Sequence, residues 1–448
     1  MGDRSRPNNV FVNPLKFTTL YLPVFLRLVM LIRKAIFLFN FFIFLSPLRN
    51  LSVFISPLTL ILFVKKLRVK DILIFFLWGI ISILSFIELN GVIVLNYIVS
   101  SLLLFPFLFL LIFHRSFFSS LTSYRVDQFL CFFFHVLIIN GIVGLIQFSI
   151  NPADDSAIGF YGRSGLQMHG LAILYVFSFV YFYTSDSKYF KIKSFFSLVF
   201  FVTCFYGIGL VVFSLSLLLA IIISSKNKIR AIFYVMVLFC FMAFVIFHVN
   251  RSAFFYNINN IVVFFGAVVS VFDNSHYYDY YVPRKILVFI NYVDMVRENP
   301  SLFVTGVGGG GFNSRAAFLL NGDYSSLSFL PTSVTNYHFK YVMPLWSKEI
   351  LSQQYQDGSM NQPFSSFLSI LAEYGFLGIA FIVFMLSRLR SYVLGLLDYS
   401  DDLNRFFINF IIIFVFIIGC SDNIYEYPEI IFPFFIVVFW LSKKRKSV

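Results

Sequence analysis

The chain has 448 residues, 59% hydrophobic and 12% charged, with a mean hydropathy of +0.86; Lys and Arg outnumber Asp and Glu by 34 to 21. A composition this apolar excludes an average soluble domain and points to an all-α, polytopic membrane helix bundle. The basic excess does not signal nucleic-acid binding, because no sizeable soluble segment carries a basic stripe, and a membrane protein gathers Lys and Arg in its cytoplasmic loops.

The N-terminal stretch carries Arg4, Arg6, Lys16, Arg27, Arg33 and Lys34 without a short apolar core and small-residue cleavage site, so it reads as retained. Two short apolar runs follow at 34–48 and 51–64, broken by Pro47, Arg49 and Pro57; the first is expected to begin as early as Leu20. Clearer runs lie at 72–86, 92–113, 129–150, 166–183, 195–206, 208–224 and 229–247, then at 367–386, 406–420 and 430–441. These predict about twelve transmembrane helices: a bundle over 1–249 with helices 1 to 9, a long, partly helical external loop over 250–365, and helices 10 to 12 with a basic tail over 366–448. Cys131, Cys204, Cys240 and Cys420 all fall inside apolar runs and predict no disulfide framework.

Charge alternates along this order. Lys65, Lys66, Arg68 and Lys70, then Arg115 with Arg125, Lys188 with Lys191 and Lys193, Lys226 with Lys228 and Arg230, Arg388 with Arg390, and Lys443 to Lys446 all fall on one side. By the positive-inside rule both termini are cytoplasmic and the 250–365 loop is external. The apolar stretch 253–272 must then lie along the interface or re-enter, since a full crossing would put the later basic clusters outside.

Within the spans, His135, Asn140 and Gln147 read as helix-to-helix hydrogen-bonding groups. The spans hold almost no carboxylates, which argues against a proton-coupled carrier. The long loop concentrates the remaining chemistry: the aromatic patch 276–281, the arginines Arg251, Arg284, Arg297 and Arg315, the pair Tyr337-His338, and the glycine run 306–312. No Lys-Ser/Thr follows Gly311, so the run is not a Walker loop. It reads as a turn needing positive φ or close backbone approach, with an anion-binding nest as the functional alternative.

The segment Pro300-Ser-Leu-Phe303-Val-Thr-Gly306-Val-Gly308-Gly-Gly-Gly-Phe312, with Arg284 a short helix upstream, is followed by Leu368-x-x-Leu371-x-Glu373-x-Gly375-x-x-Gly378 at the start of the next span. Together with Gly162-Arg163-Ser-Gly165, these stretches resemble the bacterial O-antigen polymerase and ligase family over about the C-terminal two-thirds of the chain. Many members have His-Asn where this chain has Phe364-Ser365, and Ser-Arg where Phe205-Tyr206 fall, so those positions inherit no catalytic role.

The resemblance implies a GT-C-like, metal-independent glycosyltransferase of the bacterial inner membrane, acting at its periplasmic face on undecaprenyl-diphosphate-linked oligosaccharide, with no cofactor. Membrane lipid and a chain-length regulator protein are the implied partners, and nucleic acid is not one. Fixed guanidinium groups then stabilise the charge growing on the leaving diphosphate in place of a metal ion. Arg284 and Arg163 are the candidate catalytic arginines, and His338 is the candidate base for the acceptor hydroxyl. Arg315, Arg251, Tyr281, Tyr337, His169 and Glu373 are the candidate substrate contacts, with Tyr277, Tyr278, Tyr280 and Trp346 as further sugar platforms or members of an aromatic belt. The favoured activity is polymerisation of O-antigen or capsular repeat units. Transfer of the glycan to lipid A core is the alternative, and a lipid-linked sugar flippase is a second, disfavoured because no internal repeat is visible.

Overall fold

The computed structural model describes residues 35–46, 49–64, 67–87, 94–122, 125–150, 157–162, 166–185, 187–204, 206–224, 228–249, 284–322, 331–346, 362–397 and 401–444, with Ile32 and scattered positions between 251 and 266. Among these residues every regular element is helical. Each of the twelve apolar runs coincides with a helix: α1 (Ala35–Phe44), α2 (Ser52–Phe63), α3 (Val69–Ile87), α4 (Val94–Ile112), α6 (Val126–Ile150), α7 (Leu166–Thr184), α8 (Lys188–Thr203), α9 (Gly207–Ser224), α10 (Lys228–Val249), α15 (Ser366–Leu394), α16 (Asp402–Ser421) and α17 (Pro428–Lys443). A further short helix, α5 (His114–Leu121), follows α4.

Six of these helices, α3, α4, α6, α9, α15 and α16, are long and apolar enough to cross a membrane. A crossing takes about 20 residues at about 1.5 Å each, and α2, with 12 residues, falls well short of that. Helix is the form such sequences must take, because a lipid-facing backbone has to satisfy its own N–H and C=O groups. The core between the helices is dominated by interlocking aromatic rings, including Phe107 stacked on Tyr425 at 4.3 Å and 8°.

Side-chain contacts sort the helix ends into two levels. At one, Arg388 on α15 meets Asp71 on α3 at 2.7 Å, Trp440 on α17 donates to Asp127 on α6 at 2.9 Å, Asn409 on α16 donates to Ser224 on α9 at 2.7 Å, and Lys444 donates to the Thr184 carbonyl. This is the level of the basic clusters. At the other, the turn 421–428 meets α7, the start of α9 and the loop. The helices joined by these contacts thus run in both directions through the bundle.

The described part of the 284–346 segment has its own small core. Helices α11 (Arg284–Glu298), α12 (Leu302–Thr305), α13 (Arg315–Leu320) and α14 (Asn336–Tyr341) gather Val288, Tyr292, Met295, Phe312, Phe318 and Trp346 against Phe364, Leu368 and Ala372 at the head of α15. The buried face of α11 is therefore Lys285–Val288–Tyr292–Met295, turned into this core. The sequence reading laid Ile286, Val288, Phe289, Val293 and Val296 along the membrane surface; Val288 instead points inward, and Val293 alone of these is exposed, at 44%. Of the 253–272 stretch, Phe254, Phe255, Ile258, Asn259, Val262 and Gly266 are described and helical; the rest of it lies outside the described residues.

Candidate functional site

Two of the motifs that carried the family resemblance, the glycine run and the Glu373–Gly375 stretch, interlock. Helix α15 breaks at Gly375 (φ 68°, ψ −172°), a conformation open only to glycine. The break frees the carbonyls of Ala372 and Glu373, which accept from Val307 N at 2.8 Å and Gly308 N at 2.9 Å. The glycine run then wraps the Glu373 carboxylate: Gly310 N donates to Oε2 at 2.7 Å, and Phe312 N and Ser314 N donate to Oε1 at 3.1 and 3.2 Å. A Cβ on Gly306 would stand 2.5 Å from the Glu373 carbonyl. The run is thus an anion nest whose anion is a side chain of this protein, so its amides are not free for a phosphate, and Glu373 holds loop to bundle with its carboxylate buried.

A second cluster surrounds Asp422, the residue that ends α16. Its carboxylate accepts from His169 Nδ1 on α7 at 3.3 Å and from the Tyr206 hydroxyl before α9. The His169 and Tyr206 rings stack at 4.1 Å and 20°. Beside them the buried Lys285 on α11 donates to the Ser421 carbonyl and, at 3.2 Å, to the Phe364 carbonyl. Burial works against ionisation of Asp422, but the charges of Lys285 and His169 and the bonds from His169 and Tyr206 outweigh it and hold the carboxyl below its usual range. Burial likewise pulls Lys285 down, with Asp422 acting against it.

A third cluster completes the layer. Arg49 pairs with Glu429 at 3.6 Å, lies over the Tyr161 ring at 4.5 Å and donates to the Tyr161 carbonyl at 2.7 Å. Arg315 lies over the Tyr427 ring at 4.4 Å and donates to the Glu426 carbonyl at 3.3 Å. Burial, reinforced by the Glu373 charge and opposed by Arg315, pushes the Glu426 carboxyl up to about 8.

The candidates from sequence divide accordingly. Glu373, Arg315 and His169 lie in this layer, and Arg284, partly buried, opens α11 next to Lys285. Tyr337 is partly buried against the loop core. Arg251 is exposed, over the rings of Phe247 on α10 and of Phe255. Arg163 and Tyr281 lie outside the described residues, as do Tyr277, Tyr278 and Tyr280. His338 does not fit the base assigned to it. It is 1% exposed, its Nδ1 donates to the Phe312 carbonyl at 2.5 Å, and its Nε2 accepts from Asn321 at 3.1 Å, so neither nitrogen is left for a substrate hydroxyl. Burial, only partly offset by that carbonyl, lowers its pKa to about 4.

Sequence reasoning did not single out Asp422, Tyr206, Lys285 or Arg49. The available signal was the cluster Asp422, Glu426 and Glu429 between two apolar runs of a chain poor in acids. Asn140 and Gln147 do serve as internal ties. Asn140 Oδ1 accepts from Phe160 N and Tyr161 N, and Gln147 Oε1 accepts from Gly159 N at 2.8 Å, seating the 157–161 turn on the bundle.

The geometry offers an oriented histidine. With Nδ1 given to Asp422, His169 keeps Nε2 as a basic lone pair, and among the described residues no hydrogen-bond partner meets that nitrogen. Around it stand fixed cations and aromatic hydroxyls. The fold and this layer define a multi-pass helical membrane protein with a buried polar layer at one end of the bundle. Comparison of the chain with protein-family models, curated proteins and solved structures finds no match.

Proposed function

We propose that this protein is a glycosyltransferase that joins undecaprenyl-diphosphate-linked repeat units of O-antigen or capsular polysaccharide at the periplasmic face of the bacterial inner membrane. The observation that carries the reading is the His169–Asp422 dyad, opened to one side, beside the seam where Lys285 and Arg284 enter from the loop. In the proposed reaction His169 Nε2 takes the proton of the acceptor sugar hydroxyl, whose oxygen attacks the anomeric carbon of the donor. The bond from that carbon to the diphosphate oxygen breaks, and the electron pair leaves with the diphosphate, stabilised by Arg284 and Arg163. Asp422 holds the imidazole in the required tautomer and stabilises its charged form.

The topology proposed with it has about twelve membrane passages, both termini cytoplasmic and 250–365 external. Two observations support that orientation: the helix ends form two levels, and the basic clusters share one of them. The test is deletion of the gene in a cell that makes long-chain lipopolysaccharide. The expected result is lipopolysaccharide carrying a single repeat unit and no ladder. Loss of all attached glycan would make the protein a ligase, and an unchanged ladder would remove the reading altogether.

A further inference from the structure

At the basic level of the bundle, away from the Asp422 layer, an open cleft of about 430 Å³ lies between α5 and the end of α15, lined by Arg115, Phe384, Ser387, Arg388, Ser391 and Tyr392. Its two guanidinium groups are held in place. Arg115 lies over the Tyr392 ring at 4.9 Å, and Arg388 gives one amino group to the buried Asp71 at 2.7 Å. Among the described residues each still has a buried donor that no protein acceptor meets: Nε of Arg115 and Nη1 of Arg388. Buried donors of this kind need a partner, and two fixed guanidiniums against one carboxylate leave one positive charge in excess. Ser387 and Ser391, both exposed, add hydroxyls at the rim, and Phe384, 56% exposed, lies one helical turn toward the apolar middle of α15.

We propose that this cleft binds the phosphate of an anionic phospholipid headgroup, with an acyl chain running along Phe384. Basic pockets between helices at the cytoplasmic face are where anionic headgroups are expected to dock, and the step from charged rim to exposed phenylalanine matches the step from headgroup to hydrocarbon. A free phosphate shares the headgroup chemistry but has no use for Phe384.

The experiment uses full-length protein in detergent, titrated with phosphatidylglycerol, phosphatidylcholine or inorganic phosphate and read by native mass spectrometry, with the lipid-induced shift in melting temperature as a second readout. The expected result is one retained phosphatidylglycerol per chain, at least tenfold weaker retention in Arg115→Gln, partial retention in Arg115→Lys, and loss in Ser391→Glu. Ser391 is exposed, so that variant places a carboxylate at the rim without touching the Arg388–Asp71 pair or the packing. Equal retention by wild type and Ser391→Glu, equal retention of phosphatidylcholine, or saturation by inorganic phosphate at the same concentration as the lipid would each overturn the proposal.

Discussion

The amide of Gly310 lies 2.7 Å from Oε2 of Glu373, 63 residues further along the chain, and that contact joins the loop to the broken helix α15. Replacing the carboxylate by an amide leaves one oxygen to accept and turns the other side into a donor facing N–H groups. Glu373→Gln is therefore expected to destabilise the protein by about 1–3 kcal/mol and to lower activity with it. Melting temperature and repeat-unit chain length in matched expression check this. A variant with wild-type stability would show that the nest does not depend on charge.

The arginines are separated from general basic character by their conservative variants. A charge-assisted hydrogen bond contributes about 1.5–3 kcal/mol, so Arg284→Ala and Arg163→Ala are each expected to reduce activity roughly ten- to a hundredfold. Lysine should restore only part, since an ammonium lacks the planar two-donor fork. Full chains from either alanine variant would remove that residue from the site, and full activity in Arg284→Lys would leave it a membrane anchor.

For the dyad, His169→Ala is expected to lower polymerisation by about 10²- to 10⁴-fold, the usual contribution of a general base. Asp422→Asn should impair the same step, because the amide no longer fixes the imidazole tautomer. Near-normal ladders from both variants would exclude His169 as the base.

His338 is expected to matter for stability and not for the proton transfer. Its pKa falls from 6.5 to about 4 on folding because it is buried, so the unfolded chain binds the extra proton first. The stability it contributes is present above pH 6.5 and is lost as pH falls toward 4, by up to about 3 kcal/mol. Melting temperature against pH should lose that slope in His338→Gln, while the pH profile of activity keeps its shape. A displaced activity profile would return His338 to the reaction.

Orientation is tested by labelling with native cysteines replaced. Ser301 and Ser187 are both exposed. In intact spheroplasts Ser301→Cys should react with a membrane-impermeant thiol reagent, and Ser187→Cys should react only after permeabilisation. The reverse pattern would invert the bundle and place the Asp422 layer on the cytoplasmic side.

The helices were legible because an apolar run bounded by charge has one fold available in lipid. The glycine run and the Leu-x-x-Leu-x-Glu-x-Gly stretch were legible as motifs, but not as partners, because a nest for an external phosphate and a nest for a side chain have the same local sequence. Lys285 shows the limit most clearly. It stands beside Arg284, and only the register of α11 against its core decides that the lysine enters the polar layer. The same holds for His338, whose burial depends on contacts with Phe312 and Asn321 that no spacing encodes.

The order of synthesis gives the Glu373 contact a further consequence. The glycine run leaves the ribosome while its carboxylate is still 63 residues behind it. Until α15 is inserted, those amides have only water to bind and the loop core lacks Phe364, Leu368 and Ala372, so a chain arrested before residue 373 has nothing to fold against. The loop core and the glycine run therefore have their full set of partners only once the head of α15 has joined them.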